Sequence, residues 1–197
     1  MGYPRIVLAS TSRYRRELLE RLRLQFDVVE PEVDESPRAG ELPRDLALRL
    51  AAAKAREVHA RTRGALVIGS DQVAELDGAA LGKPLSHAVA LAQLERMQGR
   101  AVVFHTALAL AGPTDAQLQV DCVPTRVRMR TLPPAALDSY LRADEPYDCA
   151  GAAKIESLGI ALVEAVESDD PTALIGLPLI RLTSMLASAG VVLLPTH

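Results

Sequence analysis

Apolar residues along the chain follow two rhythms. Ile6-Val7-Leu8-Ala9 is an unbroken apolar run that reads as a buried strand, and Phe26 to Val29 reads as a second. Ala65 to Ile68 is a third, running directly into Gly69-Ser70-Asp71-Gln72 and on through an extended Val73 to Leu76, where Asp77-Gly78 signals a hairpin. Between these runs the spacing turns helical. Leu18, Leu19 and Leu22 mark a helix over Arg15–Leu24. Leu46, Leu50, Ala51, Ala55 and Val58 mark one over Arg44–Arg61, and Ser86 caps another reaching Met97. Two long extended segments, Ala101–Ala111 and Leu118–Arg130, are joined by Gly112-Pro113-Thr114-Asp115 and are expected to pair antiparallel. Pro133-Pro134 opens a short helix to about Leu141. Asp148–Gly159 reads as irregular, Ile160–Val163 as a strand, and Pro178–Ala189 as a closing helix. Alternating helices and strands followed by an antiparallel pair predict an α/β protein with a mixed, twisted sheet flanked by helices.

The 197 residues suffice for one domain with a real core, taken here as a single domain over residues 1–197. With no Trp, two Phe and four Tyr, that core must be aliphatic, so an aromatic near the surface carries more meaning than usual. The formal charge of −3 argues against a long nucleic-acid surface, which needs clustered Lys and Arg, but leaves room for a local basic pocket. No apolar run approaches a membrane span, and a short strand followed by a basic helix has the wrong order for a secretory signal. Cys122 and Cys149 form neither a metal motif nor a disulfide framework and read as free thiols. A cytoplasmic protein is expected, without a membrane or a nucleic-acid polymer as partner.

Four features could carry chemistry. Ser10-Thr11-Ser12-Arg13-Tyr14-Arg15-Arg16 joins a strand to a helix start, where hydroxyls, free N–H groups and guanidiniums can capture phosphate. Arginine in a first turn opposes the helix dipole, which hints at an anion nearby, although plain capping of a solvated turn is the blander explanation. Asp71, after an apolar strand, stands where α/β folds place ligands and can hold a cation or take a proton from water. Alone it is an ordinary turn residue. Glu32-Val33-Asp34-Glu35 offers oxygen ligands suited to Mg²⁺ or Mn²⁺, or is simply an acidic surface loop. Lys54, on a helix among alanines, and Lys83, in Gly82-Lys83-Pro84, can neutralise phosphate, although a helical Lys is usually solvated. His59, His87, His105 and His197 show no ligand spacing, and His105 reads as structural. No P-loop and no Ser/His/Asp or Cys/His signature is present. Together the set suits metal-assisted attack of water on a phosphoanhydride.

Taken in order, Leu8-Ala9-Ser10-Thr11-Ser12 with Arg15-Arg16, Glu35, Leu50-Ala51 with Lys54-Ala55, Gly69-Ser70-Asp71-Gln72-Val73, Gly82-Lys83-Pro84, Ala150-Gly151-Ala152 and Ile175-Gly176-Leu177-Pro178 resemble the Maf family of nucleoside triphosphate pyrophosphatases. The resemblance spans nearly the whole chain. It implies two lobes around a central cleft, a divalent cation (Mg²⁺, Mn²⁺ or Co²⁺), a homodimer, and cleavage between the α and β phosphates. It makes Asp71 the general base and a metal ligand. Ser10, Arg15, Lys54 and Lys83 become phosphate holders, and Glu35 the helper of the metal or the water. Tyr14, Gln72 and Glu156 stand where the dTTP- and UTP-cleaving branch has Arg, Thr and Gln. These changes, with Cys149 and Lys154, resemble the branch acting on 7-methyl-GTP, although that branch typically has Trp at position 14. An aromatic ring and a carboxylate suit the cationic 7-methylguanine base, which an Arg would repel. The same chemistry on dTTP or UTP is the alternative within the family. A non-catalytic nucleotide-binding regulator of cell division is the alternative outside it.

Overall fold

The computed structural model describes residues 4–112, 114 and 117–194. Its first strand, β1 (Ile6–Ala9), lies between β2 (Phe26–Val29) and β3 (Leu66–Leu76), parallel to both. Beyond β3 the sheet becomes antiparallel: β5 (Ala101–Ala111), β6 (Leu118–Met129) and β7 (Val163–Ser168) follow in that order. The hairpin strand β4 (Ala79–Leu81) returns along the end of β3. This is the mixed, seven-stranded sheet that the alternation of elements predicts.

Side chains alternate across a strand, and here both faces are apolar. Val7 and Ala9 of β1, Val67 of β3 and Ala107, Ala109 and Ala111 of β5 pack beneath α2 (Pro43–Arg61). On the opposite face Ile6, Leu8, Leu66, Ile68, Leu108 and Leu110 meet α1 (Arg13–Glu20) and α5 (Leu179–Ser188). The far halves of β3, β5 and β6 build a separate core, in which Leu76, Val102, Phe104, Val127 and Met129 pack against α3 (His87–Met97) and α4 (Pro134–Asp144). The three long strands thus run through two lobes, as the family resemblance implies.

Two features of β3 place the site. Its residues to Gly69 pair with β1 and those from Ala74 pair with β4 along the same edge, leaving Ser70, Asp71, Gln72 and Val73 between the two partners. The other edge stays paired with β5 throughout. The split therefore opens where β1 ends and its chain turns into α1. Secondly, α2 crosses so close to β3 that a Cβ on Gly69 would lie 2.4 Å from the carbonyl oxygen of Ala51 and 2.7 Å from the nitrogen of Ala55. Both obstacles are backbone, so only glycine admits the helix at this depth.

Some boundaries differ from the sequence expectation. Helix α1 runs over Arg13–Glu20 because Ser12, not a later residue, is the cap, accepting from the Arg15 N–H. It stops short of Leu24, and Arg23 turns into the left-handed region at φ 54°. Asp71 lies inside an eleven-residue strand rather than at a strand end; what ends beside it is the parallel neighbour β1. The expected strand at Ile160–Val163 is a 3₁₀ turn over Leu158–Leu162, with Leu158 and Ile160 exposed and Leu162 buried. The true strand begins at Val163 and carries Glu164 and Glu167 among small apolar residues at the sheet edge. Helix α4 continues past Leu141 to Asp144. The link expected at residues 112–115 falls partly on Pro113 and Asp115, which lie outside the described residues.

Candidate active site

Asp71 points to the α2 face of the sheet, toward Lys54. That lysine stands on the buried face of α2 in line with Leu50, Ala51 and Val58, and only 7% of its side chain is exposed. The solvated position usual for a helical lysine is not adopted, because the close approach over Gly69 carries the ammonium into the split. Lys54 Nζ lies 2.7 Å from Asp71 Oδ1 and 2.6 Å from Glu35 Oε1, so two carboxylates far apart in sequence converge on one cation. Asp71 is itself buried, with 11% of its side chain exposed, while Glu35 stays open to solvent at 53%.

The loop carrying Glu35 is tied to α2. Arg49 donates from Nε to Glu41 at 2.6 Å, from Nη2 to Glu41 at 2.8 Å, and from Nη2 to the Ser36 carbonyl at 3.0 Å. This fork holds the Glu41 pKa down to about 2. Asp34 folds back on its own loop, accepting from the Ser36 N–H, and Glu32 lies near Arg61; of the acidic run, Glu35 is the residue at Lys54. Burial works against the Glu35 carboxylate, but the hydrogen bond and charge of Lys54, with Lys83 and Arg15 adding, hold its pKa below the ordinary value.

The basic groups approach from other elements. Arg15 donates from Nε to the Gly176 carbonyl at 2.9 Å and from Nη1 to Ser10 Oγ at 3.4 Å. Ser10 in turn accepts from the Ser12 N–H at 3.1 Å. Burial lowers the Arg15 pKa, and Asp71 and Glu35 pull it back up, which places this guanidinium in the field of both carboxylates. Gly176 has φ 122°, a conformation that a side chain would strain, and its Cα faces the Arg15 side chain. Lys83 is exposed on the loop after β4 and reaches the group through its charge on Glu35. Lys54 therefore touches both carboxylates at the split in the sheet, and Arg15 and Lys83 act on them through their charge.

Beside this cluster lies a cavity of about 300 Å³, lined by α1 residues Arg13, Tyr14 and Glu17, by Ile175, and by Lys154 and Glu156. Tyr14, Lys154 and Glu156 share the wall of this cavity, close enough for the tyrosine to act on the charge of the other two. The Arg13 guanidinium sits 4.9 Å from the centre of the Tyr14 ring, so this aromatic face already holds a cation. Burial at the cavity wall raises the Glu156 pKa, against the pull of Lys154 and Tyr14.

Gln72 is placed differently from its neighbours. As the next residue in the strand it points to the opposite face from Asp71, where its Nε2 lies 2.9 Å from Thr106 Oγ1 and 3.0 Å from the carbonyls of Ala173 and Leu174. It is absent from the cavity lining. Ser70, on the same face, donates to the carbonyls of Ala107 and Gly176. His105 pairs with Glu75 at 2.6 Å in the floor of the sheet, in keeping with a structural histidine. Cys122 and Cys149 are free thiols whose pKa values burial pushes up to about 11 and about 12.

Sequence reasoning named Ile175-Gly176-Leu177-Pro178 only as a motif and missed the 3₁₀ turn over Ala173–Ile175 and its anchors. Asp170, 2% exposed, accepts from the Thr172 N–H and hydroxyl and from the N–H groups of Ile180 and Arg181 at the start of α5. Asp-Pro-Thr ahead of Ile-Gly-Leu-Pro is the signal that could have revealed it.

Residues 5–189 match the family of Maf-like proteins. The chain belongs to the Maf family. It is 64% identical over 190 residues to the 7-methyl-GTP pyrophosphatase of Burkholderia thailandensis, covering 95% of this chain and 88% of that protein. It is 60% identical over 196 residues to the protein of that name in Burkholderia orbicola, covering 98% and 93%. With the one from Albidiferax ferrireducens it shares 55% over 187 residues, covering 95% and 94%. In this Maf protein no helix among the described residues is long and apolar enough to cross a membrane.

The donor set also bears on the divalent cation that the family implies. Glu35 and Asp71 are brought together by their shared contact with Lys54 Nζ, and no group of three or more acidic, His or Cys ligands occurs among the described residues. Two carboxylates fit a hard ion such as Mg²⁺, which takes one or two from the protein and completes its shell with substrate phosphates and water.

Proposed function

We propose that this protein hydrolyses 7-methyl-GTP to 7-methyl-GMP and pyrophosphate. The observation that carries the base assignment is the cavity beside the charged cluster: Tyr14 already stacks a cation in the form of Arg13, and Glu156 supplies a carboxylate at its wall. A 7-methylguanine base is cationic, so it gains from the aromatic face and from the acid. The names of the relatives agree with this reading.

Arg15, Lys54 and Lys83 neutralise the triphosphate, with Ser10 adding a hydroxyl at the start of α1. Glu35 and Asp71 would hold the divalent cation, whose role when bound is to withdraw charge from the phosphate oxygens. Asp71 takes the proton from the attacking water. Its carboxylate is aimed by the ammonium of Lys54, which donates to Oδ1 at 2.7 Å from the buried face of α2. The pyrophosphate leaving group departs among the same three cations. Cytoplasmic residence and a homodimeric assembly complete the proposal, supported respectively by the two free thiols and by the family resemblance.

A nucleotide panel tests the base assignment. Exchanging Tyr14→Arg together with Glu156→Gln removes the aromatic face and the acid and adds a positive charge. The pair is expected to lower kcat/KM for 7-methyl-GTP about tenfold or more relative to dTTP and UTP, from the loss of an attractive cation contact and the gain of a repulsive one. An unchanged ranking would remove both residues from base selection.

A further inference from the structure

Gln72 and Thr106 are held by several polar contacts, yet neither lines the cavity. Thr106 is fully buried on β5, opposite Gln72 in the strand register. Its hydroxyl donates to the Ala173 carbonyl at 2.8 Å and accepts from Gln72 Nε2 at 2.9 Å. The same amide nitrogen lies 3.0 Å from the carbonyls of both Ala173 and Leu174. Two side chains of the sheet thus grip the first half of the turn at residues 173–176. The next two residues face the ligand site. Ile175 forms cavity wall, and the Gly176 carbonyl receives Arg15 and Ser70. Chain connectivity makes any shift of Ala173 and Leu174 a shift of the base wall and of the arginine anchor together.

We propose that Thr106, acting with Gln72, is a positioning residue for base selection, holding the 173–176 turn so that Ile175 shapes the base cavity while Gly176 fixes Arg15. This rests on the assignment of the cavity to the base. It also gives Gln72 an indirect role in place of the direct hydrogen bond to the base expected from sequence. Asp71, Lys54 and Glu35 lie on the other face of the sheet, so the turn reaches them only through Arg15. The effect falls mainly on binding and discrimination, through the base wall, with a smaller effect on the chemical step through Arg15.

The test compares kcat and KM for 7-methyl-GTP and GTP in the wild type and in Thr106→Val, Thr106→Ser, Gln72→Leu, the Thr106→Val/Gln72→Leu pair and Glu156→Gln. Thr106→Val keeps the shape and removes the hydroxyl. It is expected to raise KM for 7-methyl-GTP about three- to tenfold, the value of a buried hydrogen bond, and to lower the preference over GTP, with kcat changing less than KM. Thr106→Ser restores the wild-type values. Gln72→Leu gives the same signature should the valine variant fold poorly, and the double variant is no worse than Gln72→Leu alone, because both act through one turn. A preference left unchanged by both single variants, or a parallel loss of kcat on both nucleotides, overturns the proposal. If Glu156→Gln still shifts the preference in that case, the base assignment stands and only the positioning role falls. If the wild type does not distinguish the two nucleotides and Glu156→Gln changes nothing, the cavity assignment fails and the positioning role fails with it.

Discussion

Asp71→Asn is expected to fold as the wild type does and to lose turnover by about 10²- to 10⁴-fold, the usual contribution of a positioned general base. The substitution is nearly isosteric. The amide oxygen still accepts from Lys54 Nζ, so the contact that joins α2 to β3 survives in geometry while the negative charge and the proton acceptor are gone. Nucleotide affinity should change far less than kcat, because Arg15, Lys54 and Lys83 remain to hold phosphates. Steady-state kinetics on 7-methyl-GTP, with a thermal melt as the check on folding, reads both quantities. Near-normal kcat in a folded variant would remove Asp71 as the base.

Lys54→Met has a different signature, striking stability as well as activity. Met fills much the same volume on the apolar face of α2, but it leaves the Asp71 carboxylate buried without its partner. Breaking one side of a buried ion pair costs about 3–5 kcal/mol, mostly from the stranded charge. Glu35, half open to solvent, loses the same cation at much lower cost. Urea unfolding at neutral pH should show this loss as a lower midpoint with little change in slope. The double variant Lys54→Met/Asp71→Asn should recover much of it, since a neutral amide is cheaper to bury than a lone carboxylate. Equal midpoints for the single and double variants would mean that Lys54 and Asp71 are not energetically coupled. Turnover stays low in both, because a phosphate ligand is missing.

Much of this was legible in the chain. The buried strands, the long helix over residues 44–61 and the antiparallel pair follow from periodicity alone, and the mixed sheet follows from their order. The convergence of Glu35, Lys54 and Asp71 was not readable from spacing. It depends on α2 lying against the backbone at Gly69, a tertiary contact that turns a helical lysine from a solvated residue into a buried one. Only the ordered set of motifs, through the family resemblance, brought these residues together in advance. Gln72 shows the opposite limit. A motif associates it with the nucleotide, but strand alternation sends its side chain to the face away from Asp71, where the turn at residues 173–176 receives it. The misassigned strand at residues 160–163 failed because four apolar residues in a row do not distinguish a 3₁₀ turn from a strand. The edge strand that follows, with Glu164 and Glu167 in it, lacks the apolar signal of a buried one.

The most direct test of the whole is the identity of the products. Wild-type protein incubated with 7-methyl-GTP and Mg²⁺, with the mixture resolved by anion exchange and mass spectrometry, is expected to yield 7-methyl-GMP and intact pyrophosphate in equal amounts. Formation of 7-methyl-GDP and orthophosphate, or recovery of the nucleotide bound but uncut, would contradict a site in which Asp71 and its cations act at the bond between the α and β phosphates.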